Sequence, residues 1–135
     1  MRPKLLCRIA ASIGLLLVVT PMVAHHSFIA EFDQNKPITL QGVVTKVEWM
    51  NPHIYLYIEV KDANGNIVNW GLEGGPPNSL YRQGWRKDSL KTGDAITVSA
   101  FRAKDGSNIA SMRTVTTPDG RKVFAGTADD GGPKQ

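Results

Sequence analysis

The feature that most constrains the fold is an alternating run from His53 to Lys61. Apolar residues occupy every second position of this run, namely Ile54, Leu56, Ile58 and Val60. A period of two is typical of a β-strand that buries one face. The Asn64-Gly65 pair that follows is typical of a tight hairpin turn. A second strand over 66–73 is therefore predicted to pair with the first.

Further strands are predicted over 38–49, 95–102 and 108–116, with a short helix ending near Gln83 and an edge strand over 121–124. In the first strand the predicted core positions are Ile38 and Leu40, then Val43, Val47 and Trp49. This change of apolar phase at Gly42 predicts a bend there, which would let one strand serve two sheets. Three strands, a short helix and two strands is the element order of the OB-fold. We predict an all-β domain with one short helix, built as a five-stranded OB-fold-like Greek-key barrel. The alternative is a small β-sandwich with an incidental helix.

The N-terminal residues have the pattern of a secretory signal peptide. Arg2, Lys4 and Arg8 precede an apolar run over 9–19, and Pro21 and Ala24 follow it. The run is shorter than the roughly 20 residues that a membrane-spanning helix needs. We expect cleavage after Ala24, a periplasmic or secreted protein, and no stable membrane span afterwards.

Four segments follow from these patterns. Residues 1–24 form the signal peptide, 25–37 a lead that docks on the barrel, 38–124 the barrel domain, and 125–135 a disordered tail rich in Gly, Asp and Pro. Loss of the three basic residues of the signal lowers the formal net charge from +4 to +1. A nearly neutral exported chain disfavours nucleic acid as a partner.

The three histidines are the candidate metal ligands. After cleavage, His25 carries a free amine beside its imidazole, His26 adds a second ring, and His53 lies on the turn between strands one and two. A set of nitrogen ligands suits Cu(II) and, less selectively, Ni(II) or Zn(II). We therefore expect copper as the cofactor if the lead folds back onto the barrel. Otherwise His25 and His26 are a solvated end, and His53 holds its own turn.

The outward face of strand two is the candidate binding face. Its predicted residues come from this strand, the preceding turn and strand three: Met50, Asn51, Tyr55, Tyr57 and Glu73. The face of strands two and three is the usual ligand surface of OB-folds. Met50 offers a thioether to Cu(I), while Glu48 and Glu73 are candidate oxygen ligands or partners of a histidine. The alternative is that the tyrosines pack beneath the lead, under Phe28 and Phe32.

Several motifs resemble those of a family of small exported bacterial proteins classed as a domain of unknown function. They are His25-His26-Ser27-Phe28, Glu48-Trp49-Met50-Asn51-Pro52-His53, Gly84-Trp85, Gly93-Asp94 and Asp119-Gly120-Arg121. The resemblance covers most of the chain after the signal. It implies an exported protein with a barrel-like domain and brings no activity with it.

Three functional hypotheses remain. The first is a binding or accessory protein with copper at His25, His26 and His53. The second is a non-metal interaction module whose aromatic face binds an envelope protein or a small ligand. The third is a copper oxidase, although the chain shows no pattern of a substrate cleft and no hydrolase signature. A non-enzymatic role is favoured, with the activity class left open.

Overall fold

Eight elements follow one another within residues 28–126, the part of the chain that the computed structural model describes. In chain order they are helix α1 (Phe28–Glu31), strands β1 (Phe32–Glu48), β2 (Tyr55–Lys61) and β3 (Ile67–Glu73), helix α2 (Pro77–Arg82), and strands β4 (Ala95–Ala103), β5 (Ile109–Thr116) and β6 (Lys122–Phe124). The predicted all-β class with a short helix is confirmed. A second short helix, α1, was not predicted.

The strands form one sheet in the order β3-β2-β1-β4-β5-β6, with an additional pairing between β3 and β5. Neighbours in this order are antiparallel, whereas Gly71–Glu73 of β3 run parallel to Ile109–Ser111 of β5. Each of β1 to β4 therefore has two neighbours, and β5 has three. The pairing of β3 with β5 brings together the ends of β2, β3 and β5 that carry the candidate site.

β1 is long enough to pair with two strands in succession. Its first part runs along β4, and its second part runs along β2. Gly42 and Val43 are paired with both strands at once. A side chain at Gly42 has no room, because an added Cβ would lie 2.5 Å from the backbone oxygen of Glu59. The glycine thus permits the two partner strands to approach β1 closely.

The predicted change of apolar phase at Gly42 is wrong. Val44 is fully buried, whereas Val43, which the prediction placed in the core, is 42% exposed. The core phase therefore continues through Gly42, and the register with β2 shifts between Val44 and Lys46. This irregularity brings the partly buried Val47 and Trp49 back against the core.

One apolar core lies beneath the sheet. Ile54, Leu56 and Ile58 are buried as predicted, whereas Val60 is partly buried. They belong to one cluster with side chains from β1, β3, β4, β5 and the region after α2. Its largest fully buried members are Ile54, Leu56, Ile58, Leu72, Leu80, Met112, Val44, Val98 and Val115. Trp85 packs into the same core and donates its indole N–H to the Phe124 carbonyl over 2.9 Å. The core fixes which face of β2 points outward.

The ends of the described chain differ from the predicted segments. Residues 28–37, predicted as a lead, form α1 and the beginning of β1. Ala125 and Gly126, the first residues of the predicted tail, are buried, and Gly75 donates its N–H to the Ala125 carbonyl over 2.9 Å. The predicted signal peptide and the remainder of the predicted tail lie outside the described residues.

Candidate functional site

The candidate site begins with the outward residues of β2. Because Leu56 and Ile58 are buried, the alternation of the strand turns Tyr55 and Tyr57 to the other face, where both are half-buried. The short hairpin sets the register that pairs Tyr55 with Glu73 and Tyr57 with Gly71. The predicted grouping of His53, Tyr55 and Glu73 follows from this register.

Glu73 is the centre of the first cluster. Its Oε1 lies 2.5 Å from Nδ1 of His53, and its Oε2 accepts a hydrogen bond of 3.1 Å from the Tyr55 hydroxyl. A carboxylate only accepts, so the pairing assigns the ring proton to Nδ1. Nε2 of His53 is then the ring nitrogen with a lone pair for a ligand. The His53 side chain remains 26% exposed.

Tyr55 is held in its neutral form by its surroundings. Burial, followed by the negative charges of Glu73 and Glu31, raises the pKa of Tyr55 to about 12. Neutral Tyr55 is a donor to Glu73 at any pH near 7, and a phenolate at this position would face two carboxylates. This tyrosine therefore acts as an orienting hydrogen-bond donor.

A second cluster lies beside the first on the same face. The Tyr57 hydroxyl donates to Oε2 of Glu48 over 3.1 Å, and the Lys46 ammonium pairs with Oε1 of Glu48. Hydrogen bonds from Lys46 and then from Tyr57 lower the pKa of the Glu48 carboxyl. Lys46 also lies 5.3 Å from the centre of the Tyr57 ring. The two carboxylate oxygens of Glu48 thus have Lys46 and Tyr57 as their partners.

α1 is fastened next to the first cluster. Phe28 packs against Phe32 and Phe101, with ring centres 5.6 and 5.7 Å apart. The Lys104 ammonium donates to the Ile29 carbonyl over 2.5 Å, and the Lys104 backbone N–H donates to the Glu31 carbonyl over 2.9 Å. Phe28 thus contacts Phe32 of β1 and Phe101 of β4, while Phe32 lines a cavity together with Tyr55.

A cavity of about 460 Å³ lies where α1, the site strands and the β4–β5 turn meet. Its walls come from four parts of the chain: Ala30, Glu31, Phe32, Tyr55, Glu73, Ala103, Lys104, Asp105, Ser107 and Ile109. Its size is that of a small-molecule site. The sequence patterns did not reveal the residues from the β4–β5 turn, because no motif links that turn to α1.

The predicted site residues have different outcomes. His53, Tyr55 and Glu73 are brought together, whereas Tyr57 joins Glu48. Met50 and Asn51 are exposed on the turn between β1 and β2, where the Asn51–Pro52 peptide is cis. His25 and His26 lie outside the described residues. Within residues 28–126, no three His, Cys, Asp or Glu side chains are grouped to hold a metal ion.

Neither helix within residues 28–126 has the length and apolarity needed to cross a membrane. Residues 13–112 match the profile of DUF6152, a family of unknown function. No curated protein and no solved structure matches the chain. The match supports the resemblance drawn from the sequence motifs and adds no activity to it.

Proposed function

The chain belongs to the DUF6152 family of unknown function, and we propose that it is an exported binding or accessory protein that holds copper. The ligands are the amine and imidazole of His25, the imidazole of His26, and Nε2 of His53. The single observation that carries this proposal is the contact of 2.5 Å between Glu73 and Nδ1 of His53. A carboxylate on one ring nitrogen is the usual arrangement behind a metal-binding histidine, since it orients the ring and raises its basicity.

The position of α1 supports the other two ligands. The described chain begins at Phe28, three residues after His25. Residues 30–32 line the same cavity as Glu73, which is the partner of His53. A chain spans at most about 3.6 Å per residue, so a short separation in sequence favours a short separation in space. An amine with three imidazoles is a nitrogen ligand set that favours Cu(II).

The proposal also covers the detailed architecture of the sheet. We infer an OB-fold-like Greek-key barrel. The strand order β3-β2-β1-β4-β5 with the β3–β5 pairing supports it, as do the sharing of β1 between β2 and β4 and the position of α2 before β4. The outer face of β2 and β3 is the ligand surface of such barrels. The histidine site lies at one end of that face.

Export is proposed from the basic n-region, the apolar run and the small residue before His25. Mass spectrometry of the protein recovered from the cell envelope tests it. The expected first residue is His25. A chain that still begins at Met1, or that begins after His25, would remove the amine ligand and overturn the copper proposal in this form.

Titration of Cu(II) into protein beginning at His25 tests the site. We expect a dissociation constant below about 1 μM. One residue added before His25 blocks the terminal chelate, and His53→Ala removes the ring from the turn, so each should weaken binding about tenfold or more. Glu73→Gln should weaken it about 10- to 100-fold, as loss of an orienting partner does at metal sites.

The matched control is Glu59→Gln. Glu59 is an exposed carboxylate on β2 that lines neither the cavity nor the histidine cluster. The Glu59→Gln substitution should leave the copper affinity unchanged. Weak and equal binding by all five proteins would contradict the proposal. Circular dichroism of each variant separates loss of the ligand from loss of the fold.

A second function, an aromatic docking face for an envelope protein, is favoured by a different observation. The Tyr57 ring lies beside Gly71, where an added Cβ would be 3.7 Å from the ring, and Ile67 and Ile109 are 52% and 45% exposed nearby in the sheet.

A photo-crosslinker at position 67 should give one discrete adduct in cells. The same adduct pattern from a crosslinker at the exposed Tyr81 of α2 would contradict specific docking.

A further inference from the structure

The cavity beside Glu73 is a built feature of the fold. The hydrogen bonds from Lys104 to the carbonyls of Ile29 and Glu31 hold α1 against the β4–β5 turn. Phe32, which lines the cavity, is only 4% exposed and is fixed by its contact with Phe28. The volume of about 460 Å³ lies within the range of roughly 300–1,000 Å³ of small-molecule sites. That is room for a small organic group.

Part of the lining is apolar. The exposed hydrocarbon surface comes from Ile109 and Ala30, with the half-buried Tyr55 ring beside them, whereas Phe32 and Ala103 are already buried. Ile109 is 45% exposed, although it is a large apolar side chain. A ligand with an aliphatic segment would remove this surface from water, which is favourable at about 25 cal/mol per Å².

The charged groups of the lining are mostly carboxylates. Among the described residues that line the cavity, Glu31, Glu73 and Asp105 carry carboxylates and Lys104 carries an ammonium, which already donates to the Ile29 carbonyl over 2.5 Å. The hydroxyl and N–H of Ser107 hydrogen-bond to Oδ1 of Asp105 and keep its pKa below the usual value, so this carboxylate is ionised near pH 7. An anion would meet excess negative charge, whereas a cation would be complementary.

We propose that this cavity binds a primary ammonium group carried on a short aliphatic chain. The ammonium supplies three N–H donors to carboxylates that only accept. The chain covers the apolar part of the lining. A quaternary ammonium ion, which has no N–H, fits less well, since its recognition relies on aromatic faces. The ammonium group belongs either to a free alkylamine or to a lysine side chain of a partner.

The test uses protein in the form that the cell accumulates, freed of metal with a chelator. n-Pentylamine is titrated while the backbone amide resonances of 30–32 and 103–109 are followed by NMR. n-Pentanol and choline are titrated in parallel as the uncharged and the donor-free comparisons. Saturable shifts at these amides with n-pentylamine at millimolar concentration, and weaker ones with the comparisons, are expected.

Two variants address the charge independently. Asp105→Asn and Glu31→Gln should each weaken n-pentylamine binding about threefold or more, because each removes one attractive charge. Glu59→Gln, at an exposed carboxylate outside the lining, should leave it unchanged. Equal binding of n-pentanol, equal weakening by all three variants, or the absence of saturable shifts would overturn the proposal.

The source of the ammonium group is read from the same assay. Tighter binding of N-acetyl-lysine methylamide than of n-pentylamine assigns the cavity to a lysine of a partner, and the reverse order assigns it to a free alkylamine. The inference does not rest on copper, because the metal is removed throughout. Failure of the copper titration and failure of the amine titration are therefore distinguishable.

Discussion

At the scale of single residues, the cluster of His53, Tyr55 and Glu73 could be predicted from the sequence. Alternation along β2 determines which side chains point outward, and the short hairpin places Tyr55 opposite Glu73. The commitment of Tyr57 to Glu48 was not predicted. It depends on the irregularity after Val44, which changes the phase of the end of β1, and no glycine or proline in the sequence marks that position.

The ionisation of Tyr55 is a residue-scale prediction. Its pKa in the folded protein is about 12, whereas an unfolded tyrosine has a pKa of about 10. Between these values the unfolded chain loses a proton that the folded chain keeps, so the free energy of unfolding falls as the pH rises. The contribution is fully present below about pH 10 and lost by about pH 12.

Urea unfolding at a series of alkaline pH values measures this effect. Tyr55→Phe should flatten the decline in stability, since it removes the shifted hydroxyl. The phenolate absorbance of the folded protein should show a late ionisation that is missing in Tyr55→Phe, while Tyr57, whose pKa is also raised by burial and by its hydrogen bond to Glu48, still contributes in the variant. An unchanged absorbance titration in the variant would show that Tyr55 is not the shifted group.

At the scale of elements, β1 shows where pattern reading succeeded and where it failed. The glycine was correctly singled out as the place where one strand serves two partners. The reason was different: Gly42 is required for close approach to the Glu59 backbone and not for a change of phase. The sequence shows that position 42 is a glycine, but it does not show which atoms of the fold approach that glycine.

Two strand glycines, Gly42 in β1 and Gly71 in β3, provide a matched pair of substitutions. Gly42→Ala places a methyl group 2.5 Å from a backbone oxygen, so we expect a loss of about 1–3 kcal/mol in the free energy of unfolding. Gly71→Ala meets only the Tyr57 ring at 3.7 Å, an ordinary contact. It should change stability by less than about 1 kcal/mol.

Urea denaturation of both variants, with equal slopes, makes the comparison. Equal losses from the two substitutions would show that β1 tolerates a side chain at position 42, where it is paired with both β2 and β4. A loss confined to Gly42→Ala would support the close approach as the role of this residue.

At the scale of the whole molecule, the C-terminal boundary depends on packing that composition conceals. Residues after 124 are small and polar, which predicts disorder, yet Ala125 is fully buried. Its N–H donates to the Arg113 carbonyl, and its carbonyl accepts from Gly75, both over 2.9 Å. Gly75 leaves the space for this contact, since an added Cβ would lie 2.5 Å from the Gly126 oxygen. Two glycines and an alanine carry no sequence signal of burial.

Truncation tests this boundary. Ending the chain after Phe124 removes two backbone hydrogen bonds and a buried methyl group, so we expect a loss of about 2–4 kcal/mol. Ending it after Gly126 keeps these contacts and should leave the thermal midpoint unchanged. Equal midpoints for the two truncated chains would contradict a structural role for Ala125.

The pairing of β1 with β4 also has a kinetic consequence. The longest strand lies at the beginning of the described chain, and one of its partners comes only after β2, β3 and α2. The β3–β5 pairing likewise joins segments on either side of α2 and β4. Chains dominated by such distant contacts fold slowly, in milliseconds to seconds. Most of this chain must therefore leave the ribosome before β1 has both neighbours. The sheet of a nascent chain stays incomplete during that interval, which is when the proposed export would take place.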